Sequence, residues 1–137
     1  MLSVFNQFVD AYNNRNLVVA LDCFRAEPPP VAFGSGKDER RVGLNEIREQ
    51  LQRDWNQSLT TKVKVVQINY EQGPDYGWVA AELNVTVGFE AGKECMPARM
   101  SVVMQKESEE HWKIAHMHLS LPAFDEPDGA SFPLHNS

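Results

Sequence analysis

The chain has 137 residues, with 13 Lys+Arg against 19 Asp+Glu and a formal charge of −6. That length suits one domain with a real core. The acidic balance argues against nucleic acid or an anionic membrane surface as partner, because phosphate binding needs clustered positive charge.

The one basic cluster, Lys37 with Arg40 and Arg41, is interrupted by Asp38 and Glu39. Two cysteines, Cys23 and Cys95, make neither a metal-ligand spacing nor a disulfide framework, which fits a reduced, cytoplasmic setting. The N-terminus has no basic stretch followed by an apolar run, and no segment approaches the ~18 apolar residues of a membrane span.

From the N-terminus, Ser3 is placed to cap a helix whose stripe is Val4, Phe5, Phe8, Val9 and Tyr12. Asn16 is placed to cap a second, shorter helix with Leu17, Ala20, Leu21 and Phe24 inward, so the two form a helical hairpin. Pro28-Pro29-Pro30 excludes helix. Val31-Ala32-Phe33 then reads as a short strand running into the turn Gly34-Ser35-Gly36, which lacks the lysine and spacing of a phosphate-binding loop. Leu44–Trp55 is the clearest helix, with Leu44, Ile47, Leu51 and Trp55 inward and Glu46, Arg48, Glu49, Gln52, Arg53 and Asp54 expected to face water.

The period then changes to two. Thr60–Tyr70, Tyr76–Phe89, Ala98–Lys106 and His111–Leu121 read as strands joined by turn-like loops, an antiparallel meander. Helices first and strands afterwards give an α+β fold, with the helices on one face of a curved sheet. On Tyr76–Phe89 one face is unbroken apolar (Val79, Ala81, Leu83, Val85, Val87, Phe89), while the other holds Trp78, Ala80, Glu82, Asn84 and Thr86. Strict alternation divides His111–Leu121 into an odd set with Ala115, Met117 and Leu119 and an even set with Trp112, Ile114, His116 and His118. Both sets then carry large apolar groups, and Ala98–Lys106 has Met100, Val102 and Met104 on one side and Val103 on the other. One layer of helices covers one side only, so a homodimer packed sheet to sheet is expected. Residues 1–122 form the domain. The tail, 123–137, has no period and is either mobile or pinned by Phe124 and Phe132.

The two helices, the Ala-Phe-Gly-Ser-Gly loop, the helix ending in Asp54-Trp55, the meander and the ending Trp-Lys-Ile-Ala-His-Met-His-Leu-Ser resemble a SnoaL-like domain. That is a branch of the nuclear transport factor two / ketosteroid isomerase-like superfamily, with a cone-shaped, cystatin-like α+β fold. The ending is also similar to the association (hub) domain of calcium/calmodulin-dependent kinase II, with its Trp-x-Ile-x-His-x-His-x-Ser. The resemblance spans roughly residues 4–122. It implies a pocket lined by Ala115, Met117 and Leu119, by Trp78, Ala80, Glu82 and Asn84, and by Trp55 and Phe33, with Met100 adjoining. The hub's pocket arginines fall here on Glu82, Val102 and Leu119, so the implied ligand is neutral or cationic and partly apolar rather than a carboxylate.

Three functions follow as expectations. The first is a small-molecule-binding homodimer with a largely apolar pocket. The second is a cofactor-independent isomerase, cyclase or dehydratase with Glu82 as general base, and Tyr12, Tyr70, Asn84 or Ser35 as oxyanion donor. The third is a hub-like association module. His116 and His118 share a face and are two apart, a metal-capable spacing. With no further ligand at hand, hydrogen-bonded interface histidines beside Arg99, Ser101 and Ser120 are the preferred reading, with no metal and no cofactor.

Overall fold

In the computed structural model, which describes residues 1–123 and 126–132, the apolar stripe near the N-terminus winds into helix α1 (Leu2–Asn13), with Met1 rather than Ser3 at its N-cap. Asn16 does cap α2 (Leu17–Asp22), its side chain accepting from Val19 N at 3.2 Å. Between them Arg15 adopts φ +56°. This left-handed conformation is costly for a residue with a Cβ. Contacts hold it, since the guanidinium donates to Trp55 O at 2.6 Å and Ser58 Oγ at 3.0 Å.

Two short strands follow, β1 (Val31–Phe33) and β2 (Arg40–Val42), paired antiparallel. The second of them lies in the basic cluster, where three residues are too few to show a period. Gly43, at φ +89°, turns the chain into α3 (Leu44–Asn56), in a conformation that only glycine adopts without strain. The meander is β3 (Thr60–Gln72), β4 (Tyr76–Phe89), β5 (Gly92–Ser108) and β6 (His111–Ser120). β5 starts at Gly92, six residues earlier than the sequence suggests, because Glu90-Ala91 forms a tight hairpin tip and Gly92 takes φ +138°. Pro97 is tolerated because pairing of β5 with β6 begins only at Arg99, so its missing N–H removes nothing from the ladder.

The six strands form one sheet in the order β2-β1-β6-β5-β4-β3, antiparallel except for β1 beside β6. The helices cover one face. From β4 that face takes Val79, Ala81 and Leu83, and from β5 it takes Ala98, Met100, Val102 and Met104, all buried against Phe5, Phe8, Ile47 and Leu51. Full burial of a side chain such as Val79 or Ile114 contributes about 1.5–3 kcal/mol.

β6 departs from simple alternation. Val103 pairs with His116 and Met104 with Ile114, leaving Ala115 as an unpaired extra residue, a β-bulge. The bulge reverses parity, so Trp112 and Ile114 before it and Met117 and Leu119 after it all meet the helix-covered face. The two apolar faces expected of this strand are therefore one face, and Ala115 belongs to the bulge rather than to a regular pocket row. A similar shift leaves Val66 extra in β3, where it is exposed. Phe132 is 79% exposed and pins nothing, and Phe124 lies outside the described residues. Among the described residues no helix is long and apolar enough to cross a membrane.

Candidate functional site

Between the helices and the sheet lies a cavity of about 130 Å³. Its apolar wall comes from Phe8 and Val9 of α1, Ile47 and Leu51 of α3, and Val63, Val85, Met100, Met117 and Leu119 of the sheet. Ala32 and Phe33 of β1 complete it, with the Phe33 ring turned to the other face, edge-on to His116 and His118 at 5.4 Å from each.

One end of the cavity is polar. Tyr12 Oη donates to Asp54 Oδ2 at 2.9 Å. Gln50 Nε2 donates to Asp54 Oδ1 at 2.7 Å and to Glu39 Oε1 at 2.8 Å, and Gln50 Oε1 accepts from Arg41 Nε at 2.9 Å. All five side chains line the cavity. The ends of the network are anchored. Asn13, next to Tyr12, exchanges two bonds with the Val63 backbone of edge strand β3, at 2.7 and 3.0 Å. Glu39 closes the β1–β2 turn by accepting from Gly36 N. Burial, more than any neighbour, raises the Asp54 carboxyl above its ordinary range, although the bonds from Gln50 and Tyr12 pull it down. Tyr12 is raised too, by burial first and then by the Asp54 charge.

The residues singled out in the sequence divide between the two faces of the sheet. Met100 and Met117 line the cavity, and Phe33 borders it with its ring on the outer face. Trp55 is buried behind it, its ring 5.9 Å from that of Tyr12 and its indole Nε1 without a partner among the described residues. Trp78, Glu82 and Asn84 do not reach the cavity. They occupy the opposite, exposed face of β4, where Glu82 stands across from Arg99. Helices cover the face with the unbroken apolar row, and that row is the odd-numbered one, so the even-numbered carry-over falls on the wrong side. Glu82 is thus corrected from pocket base to outer-face residue. Arg99, His116 and His118 share this outer face, with His116 Nδ1 2.7 Å from Val31 O. No group of three metal-capable side chains occurs among the described residues.

The sequence places Asp54 in water, marks Glu39 and Arg41 only as parts of an interrupted charge cluster, and does not single out Gln50. A signal existed for Asp54 and Gln50: positions 47, 50, 51 and 54 follow the spacing of one helical face. Ile47 and Leu51 are buried, which carries Gln50 and Asp54 to the rim of the same cavity. Of the possible oxyanion donors, Tyr12 alone is at the cavity. Tyr70 is exposed, Ser35 lies in the exposed turn and Asn84 on the outer face.

The profile of the SnoaL-like domain matches residues 1–124. The chain belongs to the SnoaL-like domain family. Its fold is shared with a candidate dehydratase of the NTF2-like family from Streptomyces avermitilis, at TM-score 0.77 and 11% identity over 87% of this chain and 92% of that one. A candidate calcium/calmodulin-dependent protein kinase II association domain from Xanthomonas campestris gives 0.77 and 18% over 90% and 86%. A ketosteroid isomerase-like protein from Erwinia carotovora atroseptica gives 0.73 and 14% over 88% and 92%. At such identities the likeness speaks for the fold, and SnoaL-like folds host several chemistries, so function rests on the site. No curated protein is significantly similar in sequence.

Proposed function

We propose that this SnoaL-like chain binds a small, largely apolar molecule in the cavity, with the Tyr12–Asp54 pair as its main polar contact. The observation that carries this reading is an apolar enclosure ending in a single connected polar network that includes a desolvated carboxyl. Thermal-shift screening with a panel of small hydrophobic molecules tests it. Hits that raise the melting temperature of the native protein, and not of a Val85→Trp variant with its cavity filled, support it. A panel without hits, or equal shifts in both proteins, overturns it.

One observation favours a second reading, a cofactor-independent isomerase or dehydratase. A carboxyl raised by burial and bonded to a tyrosine is suited to moving a proton on an apolar substrate, and here that carboxyl is Asp54. Among fold relatives, a candidate dehydratase and a ketosteroid isomerase-like protein agree with such chemistry. Turnover of any cavity ligand that Asp54→Asn abolishes separates this reading from binding alone.

The outer face supports a homodimer as a further part of the proposal. Trp78 and Val103 face each other across β4 and β5 at 43% and 38% exposure, next to His116 on β6. The double variant Trp78→Glu, Val103→Glu is expected to halve a dimeric mass measured by light scattering. A monomeric mass for the unaltered protein rules the dimer out.

A further inference from the structure

The polar end of the cavity holds donors and acceptors in unequal supply. Gln50 has no donor left: both Nε2 hydrogens are taken, by Glu39 and Asp54, while its Oε1 receives Arg41. The Tyr12 hydroxyl hydrogen goes to Asp54. Each carboxylate oxygen accepts two bonds and a phenol oxygen accepts as well, so the capacity left on Tyr12, Asp54 and Glu39 is for accepting. The remaining donors are the Arg41 Nη groups. Two carboxylates, Glu39 and Asp54, line the cavity against one guanidinium, Arg41, and Arg53 is engaged with the exposed Asp38 at 2.8 Å.

The apolar part sets the size. A cavity of about 130 Å³ approaches the roughly 150 Å³ of an apolar cavity that takes up benzene. One six-membered ring fits, and a fused multi-ring body does not fit without expansion.

From this we propose that the cavity selects a single-ring ligand whose polar group is a hydrogen-bond donor, an alkylammonium ahead of an alcohol, and that it disfavours carboxylates. The inference rests on the binding reading above and specifies its ligand. An ammonium placed between Asp54, Glu39 and Tyr12 meets three acceptors and completes the charge of the rim. Desolvation of Asp54 agrees with this, since burial outweighs the bonds from Gln50 and Tyr12 and the weaker pull of Arg53.

Four probes with one ring in common test the inference by protein-observed NMR titration: benzylamine, benzyl alcohol, ethylbenzene and phenylacetate. The expected order of affinity is benzylamine, benzyl alcohol, ethylbenzene, phenylacetate, with benzylamine about tenfold or more ahead of ethylbenzene, as charge-assisted hydrogen bonds allow. In Asp54→Asn the benzylamine advantage over ethylbenzene is expected to fall to about threefold or less. Should that variant unfold, Glu39→Gln is expected to change the ratio in the same direction. Equal affinities for benzylamine and ethylbenzene overturn the selectivity and leave the cavity as a binding site. Tightest binding of phenylacetate overturns it in favour of Arg41 as the anchor. Absence of binding by all four, ethylbenzene included, overturns the cavity reading itself and this inference with it.

Discussion

Tyr12 Oη stands 2.9 Å from Asp54 Oδ2, a hydrogen bond that ties α1 to α3 across 42 residues of chain. It is also the point at which the apolar cavity becomes polar. Tyr12→Phe keeps the ring packed against Phe8 and Trp55 and removes only the bond. Loss of about 1.5–3 kcal/mol in urea unfolding is expected for a bond to a charged, partly buried acceptor. A change below about 0.5 kcal/mol would show that the bond adds nothing net.

The Asp54 carboxyl gives a pH signature. Its folded pKa is raised, chiefly by burial, so between the ordinary carboxylate value and the raised one the native state holds a proton that the unfolded chain has lost. Stability from this group is therefore complete below the ordinary value and declines as pH rises through the raised one. Asp54→Asn removes the dependence. Unfolding curves at a series of pH values from 3 upward should show the variant gaining on the unaltered protein with rising pH, then running parallel to it. A constant difference across the series would contradict the assignment.

The bulge at Ala115 predicts tolerance of a deletion. Without Ala115, plain alternation puts Trp112, Ile114, Met117 and Leu119 on the helix-covered face and His116 and His118 on the other, with the pairing to β5 unchanged on both sides. What is lost is the local bend of the strand, not a core side chain. A cooperative melting transition by circular dichroism is therefore expected to survive the deletion. Loss of that transition would show that the core needs the bend itself.

Glu82 offers the opposite expectation. It lies on the outer face across from Arg99 and away from the cavity. Glu82→Gln should leave the Kd of any cavity ligand within about twofold and stability within about 0.5 kcal/mol. Disabled ligand binding in this variant would return the site to the other face of the sheet.

Much of the fold was legible because it rests on local periodicity. The helical stripes of α1 and α3, the Asn16 cap and the alternation of β4 are properties of neighbours in the chain, and they led to the α+β arrangement. The two three-residue strands differed: β1 could be proposed, but β2 within the charged run could not. The resemblance implies Met100 and Met117 for the pocket, and both lie at the cavity, while the Phe33 ring faces the outer side. It also implies Trp78, Glu82 and Asn84, which the chain's own alternation places on the opposite face.

By itself the sequence determined the class of fold and the apolar row of β4, since both follow from spacing along the chain, and its motifs carried the resemblance to the SnoaL-like family. Only the tertiary structure decided the rest. A bulge is one unpaired residue, and its place depends on how β6 registers against β5. The polar end of the cavity draws Tyr12, Glu39, Arg41, Gln50 and Asp54 from three separate segments, and a hydrogen-bond network among distant side chains leaves no period to read. Burial then changes what the residues are: an aspartate that faces water in an isolated helix becomes, once α1 and the β1–β2 turn close over it, a desolvated carboxyl at the mouth of a cavity.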